Sequence, residues 1–207
     1  MARLIAALIR HGDYQQWPDV PSAHQPWPLN RQGESQAQEA VQLLYDTFMQ
    51  HGWTLVPSID SSRLLRAWQT ATILADGLAG LLQTRLVVES HDALAERGVG
   101  SLANLTTAQI ETILRQDPRV SDPPVDWKAD SHYCLPLQGA ESLMQAGERV
   151  AAHVSQAMSA LPADDRDRVK LFVGHGAAFR HAACHLGVLE SAQLRQLSMF
   201  HCRPVFI

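Results

Sequence analysis

Two short stretches, one near each end of the chain, have the same grammar. Leu8-Ile9-Arg10-His11-Gly12 closes the apolar run that begins at Leu4, and Leu171-Phe172-Val173-Gly174-His175-Gly176 closes the run that begins at Val169. Each is nearly all apolar rather than alternating, the pattern of a strand buried on both faces of a parallel sheet. Each ends abruptly in histidine followed by glycine. In an open α/β sheet, ligands bind just beyond the carboxyl ends of the strands. Adjacent parallel strands would therefore deliver His11 and His175 to one rim, with the guanidinium of Arg10 beside them. Two imidazoles and a guanidinium in one small volume suit a phosphoryl group.

The intervening pattern alternates strands and helices. Asn30 is placed to cap a helix over 31–50, whose Ala37, Ala40, Val41, Leu44, Tyr45 and Phe48 form one stripe. Residues 55–59 read as a second strand, with Asp60, Ser61 and Ser62 as caps for a helix running to Leu82. Residues 86–88 read as a short strand, 106–115 and 141–161 as helices, 169–173 as a strand and 177–186 as a helix. Residues 190–196 read as a helical turn, and 197–200 and 203–206 as late strands, an edge hairpin. Two stretches, 13–30 and 117–139, each carry four prolines and no period, and read as long loops. The expected architecture is an α/β, three-layer α/β/α sandwich with a mainly parallel central sheet, formed as a single domain over residues 1–207.

Composition narrows the chemistry. The 207 residues carry a formal charge of −4 and no basic block, so neither nucleic acid nor an acidic membrane is an expected partner. The two lysines, Lys128 and Lys170, are not part of a Gly-Lys-Ser/Thr, which excludes a P-loop. Three cysteines, an odd number without metal spacing, point to a reduced, cytoplasmic setting. The apolar stretch from Leu4 to Ile9 is too short for a signal peptide, and no run is long enough to span a membrane.

Six segments, in order, resemble the histidine phosphatase superfamily, the group that includes the cofactor-dependent phosphoglycerate mutases. Leu8-Ile9-Arg10-His11-Gly12 resembles its signature. Pro28-Leu29-Asn30-Arg31-Gln32-Gly33-Glu34-Ser35-Gln36-Ala37 resembles one of its helix starts, and Ser61-Ser62-Arg63-Leu64-Leu65-Arg66-Ala67-Trp68-Gln69-Thr70-Ala71 resembles another of its helices. Leu94-Ala95-Glu96-Arg97 with Gly100, Gly139-Ala140-Glu141-Ser142 with Arg149, and Gly174-His175-Gly176 with Arg180 resemble the remaining three. The resemblance implies a phosphoglycerate mutase-like fold and a metal-independent phosphomonoesterase without cofactor, acting through a phosphohistidine on His11. Arg10, Arg66 and His175 would join His11 in binding the phosphate, and Glu96 would be the general acid, with Asp92 and Glu89 as alternatives in the same loop. Asp13-Tyr14 and the residues that follow depart from the mutases and look more like the small phosphatases. Rival readings are a mutase-type phosphotransferase, an inactive phosphate-ester-binding protein, and a zinc protein built on His175, His181 and His185. Specificity is expected from the two loops, with Tyr14, Gln16 and Trp127 as candidates; Trp127 would otherwise anchor its loop on the core. Expected partners are a small phosphate monoester or a phosphoprotein, and a homodimer is possible.

Overall fold

The computed structural model describes residues 2–207 except 22, 23, 163, 195 and 196. Its elements follow the alternating pattern: β1 (Leu4–Arg10), α1 (Arg31–His51), β2 (Thr54–Ser62), α2 (Leu65–Leu82), β3 (Val87–His91), α3 (Thr107–Gln116), α4 (Leu143–Ser159), β4 (Arg168–Gly174), α5 (Gly176–His185) and β5 (Pro204–Phe206). The strands form one sheet in the order β3-β2-β4-β1-β5. All neighbours run parallel except β5, which lies antiparallel on β1. Among the described residues no helix is long and apolar enough to cross a membrane.

Helices cover both faces of this sheet, so the two central strands are apolar throughout. Ile5, Ala7 and Ile9 of β1 and Val169, Leu171 and Val173 of β4 pack against α1 and α2. Ala6, Leu8 and Phe172, pointing the other way, pack against α4 and α5. Full burial of an aliphatic or aromatic side chain stabilises by about 1.5–3 kcal/mol, so this doubly covered pair is the firmest part of the fold. A third cluster, Val99, Leu102, Ile110, Leu114, Trp127 and Leu135, lies outside the sandwich and gives the irregular stretch 117–139 its own core.

Local chemistry sets the ends. Asn30 caps α1 by accepting from the Gly33 amide at 2.8 Å. Thr106 and Ser142 form reciprocal capping boxes with Gln109 and Gln145 at the starts of α3 and α4. The helix expected to be capped by Asp60, Ser61 or Ser62 starts instead at Leu65, without a side-chain cap. Those three residues extend β2, paired with Glu89, Ser90 and His91 of β3. The expected hairpin over 197–206 is also absent. Residues 197–200 are irregular because the Met199 carbonyl turns to accept from Arg10 Nη1, at 3.1 Å; His201 makes a single bridge to Arg10, and Pro204–Phe206 forms the edge strand. A one-turn 3-10 helix at Ser191–Gln193 stands where a turn to 196 was expected; Gln196 itself lies outside the described residues.

Asp60 explains why β2 continues. It is buried inside the sheet, with Lys170 Nζ of β4 at 2.6 Å from Oδ1 and His153 Nε2 of α4 at 2.8 Å from Oδ2. Burial alone would raise its pKa, but the hydrogen bonds from His153 and Lys170, with the lysine's charge, leave it lowered. A depressed carboxyl stabilises the fold above its unfolded value of about 3.9, and that contribution is lost as pH falls through the lower folded value. Removing one partner of a buried pair leaves the other charge uncompensated. Lys170→Met is therefore expected to lose about 3–5 kcal/mol in a urea melt, and Lys170→Met/Asp60→Asn to recover most of it. A single variant within about 1 kcal/mol of wild type would show that the pair does not secure β2 to β4.

Candidate active site

The rim at the carboxyl ends of β1, β4 and β2 brings together residues that are far apart in the chain. Arg10 is paired with Gly174 at the end of the β1–β4 ladder, and the His11 amide donates to the Gly174 carbonyl at 3.0 Å. The rings of His11 and His175 consequently stand 5.0 Å apart, edge to face. Both are enclosed: His11 is 3% exposed and His175 not at all. Burial first, then the charge of Arg66, holds both imidazoles well below the usual histidine range, so both are neutral at neutral pH.

The hydrogen bonds select a tautomer. His11 Nδ1 lies 2.7 Å from the Gly12 carbonyl, which can only accept, so the proton sits on Nδ1. Nε2 is left with a lone pair, to which Arg66 Nε donates at 3.2 Å. Arg66, the second residue of α2, also donates from Nη1 to the Gln25 carbonyl at 2.8 Å. Its Nη2 approaches His175 Nδ1 at 3.4 Å, while His175 Nε2 lies 2.9 Å from Ser62 Oγ. The Tyr14 ring covers the guanidinium at 4.4 Å. An anionic group bound here would meet Arg66 already desolvated, which strengthens its pairing.

A cavity of about 230 Å³ opens in front of His11, walled by Arg10, Tyr14, Gln16, Glu96, Ala177 and Arg180. Arg66 and His175 do not line it; they lie behind His11, fully buried. Among the acids of the loop after β3, Glu96 lines the cavity. Asp92 is at the surface, paired with Arg63 at 3.2 Å, and Glu89 faces His91. Tyr14 and Gln16 stand on the wall as expected specificity residues would. Trp127 does not: it is 2% exposed in the outer hydrophobic cluster, and the indole anchors its loop. A wider cleft of about 770 Å³ adjoins the small cavity and shares Gln16, Glu96, Ala177 and Arg180 with it.

Several residues of the recognised motifs prove to be scaffold around this centre. Thr70 Oγ1 accepts from the Gly12 amide at 3.1 Å, and Gln36 Oε1 accepts from the Asp13 amide at 2.8 Å. Gln69 Oε1 accepts from the Leu29 amide at 2.8 Å. Arg149 Nη1 donates to the carbonyls of Asp92, Ala93 and Ala95, which fixes the loop that presents Glu96. Other site residues carry no motif. Gln25 is fully buried and ties the 13–30 loop together, accepting from the Trp17 amide and donating to Val20 and Pro21 carbonyls. His201 Nδ1 donates to the His11 carbonyl at 2.6 Å. Its only sequence signal is proximity to a short β-rich end.

The zinc reading finds no support in the side-chain directions. His175 is held by Ser62, His181 by Ala177 and Ser131, and His185 by the Met144 carbonyl. Among the described residues the one group with metal-site composition is Asp60, His91 and His153, whose ligand atoms lie within 4.8 Å of one another. There the Lys170 ammonium already compensates the Asp60 carboxylate.

This geometry meets independent comparisons. The family model of the histidine phosphatase superfamily (branch 1) matches residues 6–205, so the chain belongs to that family and is classed with its phosphoric monoester hydrolases. Among solved structures, a mycobacterial glucosyl-3-phosphoglycerate phosphatase complexed with vanadate (VO3) is 25% identical, with a TM-score of 0.70 over 100% of this chain and 92% of that one. A protein described as mycobacterial hydrolase 1 is also 25% identical, with a TM-score of 0.72 over 100% and 88%. The alpha-ribazole phosphatase from Shigella flexneri, 19% identical, shares the fold with a TM-score of 0.68 over 98% and 89%. No curated protein sequence matches.

Close backbone packing behind His11 is a testable part of this site. A Cβ on Gly33 would meet the Asp13 carbonyl oxygen at 1.9 Å, and one on Gly12 would meet the Gly33 carbonyl oxygen at 2.4 Å. Gly33→Ala is expected to cost about 1–3 kcal/mol in thermal or chemical denaturation and to lower turnover, since the chain that must shift carries His11. Unchanged stability and turnover would show that the loop yields freely.

Proposed function

We propose that the chain is a metal-independent phosphomonoesterase that works through a phosphohistidine on His11. The observation that carries this reading is the His11 tautomer: Nδ1–H is fixed on the Gly12 carbonyl, and Nε2 keeps its lone pair beside two desolvated arginines. A neutral imidazole of this kind attacks phosphorus, and the P–O bond to the leaving alkoxide breaks as the P–N bond forms. A bound phosphoryl group would take over the Arg66 hydrogen bond now made to His11 Nε2, freeing that lone pair. Arg10 and Arg66 neutralise the equatorial oxygens, and His175, neutral and hydrogen-bonded to Ser62, holds Arg66 in position between the two histidines. The start of α5, immediately after His175, adds a helix N-terminus.

Glu96 lines the cavity with His11 and would protonate the leaving oxygen, then take a proton from the water that cleaves the phosphohistidine. The broad cleft beside Glu96 leaves room for water, which favours hydrolysis over a shielded mutase intermediate. The likeness to a glucosyl-3-phosphoglycerate phosphatase supports the same choice.

Hydrolysis of p-nitrophenyl phosphate in EDTA is expected from wild type and not from His11→Ala; activity surviving in the variant would overturn the reading. Glu96→Gln should lower kcat/KM, which reports the first phosphoryl transfer, about 100- to 10,000-fold on alkyl phosphates and far less on p-nitrophenyl phosphate, because that leaving group needs no proton. Equal losses on both substrates, or a larger loss in Asp92→Asn, would remove Glu96 from the role.

The pH behaviour follows from burial. Because His11 stays unprotonated well below the usual range, kcat/KM should show no histidine titration at the usual value of about 6.5. A midpoint near about 6.5 would mean an ordinary, solvated imidazole. Stability has the opposite sensitivity. Both imidazoles have lowered folded pKa values, so the unfolded chain binds more protons and stability declines as pH falls below about 6.5.

A further inference from the structure

Arg97 is the guanidinium that the proposed chemistry leaves without a task. It is 8% exposed, yet among the described residues no carboxylate or carbonyl accepts from its side chain. The Trp127 ring lies 5.7 Å away, Glu96 and Glu141 contribute negative charge nearby, and Arg97 lines the wide cleft. A buried cation without an acceptor is costly to maintain, and a partner that arrives with a ligand resolves that cost. Arg180 repeats the pattern nearby. Its Nε is buried without a hydrogen-bond partner among the described residues, and it lines both the small cavity and the wide cleft.

The cleft's charge has the matching sign. Arg97, Lys128 and Arg180 face two carboxylates, Glu96 and Asp130. Asp130 is already engaged, its Oδ1 accepting from the amides of His132 at 2.8 Å and Tyr133 at 3.2 Å. Glu96 Oε1 accepts from the Arg97 amide at 2.9 Å. The volume of about 770 Å³ exceeds what a phosphate needs and fits a leaving group of drug-like or sugar-like size.

We propose that this cleft is a second anion-binding subsite, in which Arg97, with Arg180 and Lys128, holds a carboxylate or a second phosphate on the leaving-group side of the substrate. The inference rests on the phosphatase reading above. It makes the substrate class a bulky phosphate monoester with a further anionic group, and it makes Arg97 a specificity residue rather than a catalytic one.

Two matched pairs test it: 3-phosphoglycerate against glycerol 3-phosphate, and fructose 1,6-bisphosphate against fructose 6-phosphate. Wild type should prefer the more anionic member of at least one pair by about tenfold or more in kcat/KM. The pair that shows the preference identifies the anion as carboxylate or phosphate. Arg97→Met should bring that ratio toward one, and Arg97→Lys should keep part of it, because a charge remains without the planar fork. A ratio near one in wild type for both pairs, or an unchanged ratio in Arg97→Met, overturns the subsite. Turnover of p-nitrophenyl phosphate by wild type separates the two failures. With turnover present and ratios flat, the subsite alone is wrong; with turnover absent, the phosphatase reading falls and the subsite with it.

Discussion

The parallel ladder between β1 and β4 is what every other feature of the site leans on. Its paired residues are 164 apart in the chain, from Leu4 with Arg168 to Arg10 with Gly174 at the two ends of the register. Because the register is fixed, His11 and His175 leave the sheet side by side. A slip of one residue would turn each apolar side chain to the opposite face. The ladder resists such a slip because both faces are covered: Ile9 and Val173 bury on the α1–α2 side, Leu8 and Phe172 on the α4–α5 side. The stability of the sandwich and the alignment of the two imidazoles therefore have one cause.

Around that fixed pair the chain builds a desolvated pocket from otherwise unrelated loops. Arg66 is its hinge point. It touches His11, approaches His175 and binds the Gln25 carbonyl, so one buried guanidinium ties α2, both histidine strands and the 13–30 loop together. The same burial that lowers the Arg66, His11 and His175 pKa values takes these three side chains almost wholly out of water. Charges placed in such a setting act strongly on an incoming phosphate without reorganising. The Asp60–Lys170 pair lies just below on β2 and β4 and keeps those strands in step under Ser62, the partner of His175.

The two histidine strands, the helix stripes and the long loops were legible because each is a local pattern: period, caps and proline content. Extending β2 through Ser62 was not legible, since Asp, Ser and Ser are good caps in isolation. Only the buried lysine on a distant strand makes Asp60 a strand residue. The same holds for 197–200, where an apolar run that reads as a strand is claimed by Arg10. Trp127 shows a related limit: the sequence left it between cavity and anchor, and the packing of a satellite core assigned it to the anchor. Motif residues such as Gln36, Gln69 and Thr70 were visible as a pattern, whereas their work, holding the backbone after His11, needed the fold. Arg97 was visible too, but that its side chain has no acceptor among the described residues is a property of the assembled cleft.

The chemistry proposed for this chain passes through a covalent bond between phosphorus and His11 Nε2, and that bond can be trapped. Wild type mixed rapidly with a phosphate monoester, quenched in alkali and digested should yield a His11-containing peptide carrying one phosphoryl group, stable in base and lost in acid, as a phosphoramidate is. The same peptide from His11→Ala should carry none. A phosphoryl group found on another residue, or steady hydrolysis with no label on His11 at any quench time, would contradict the account.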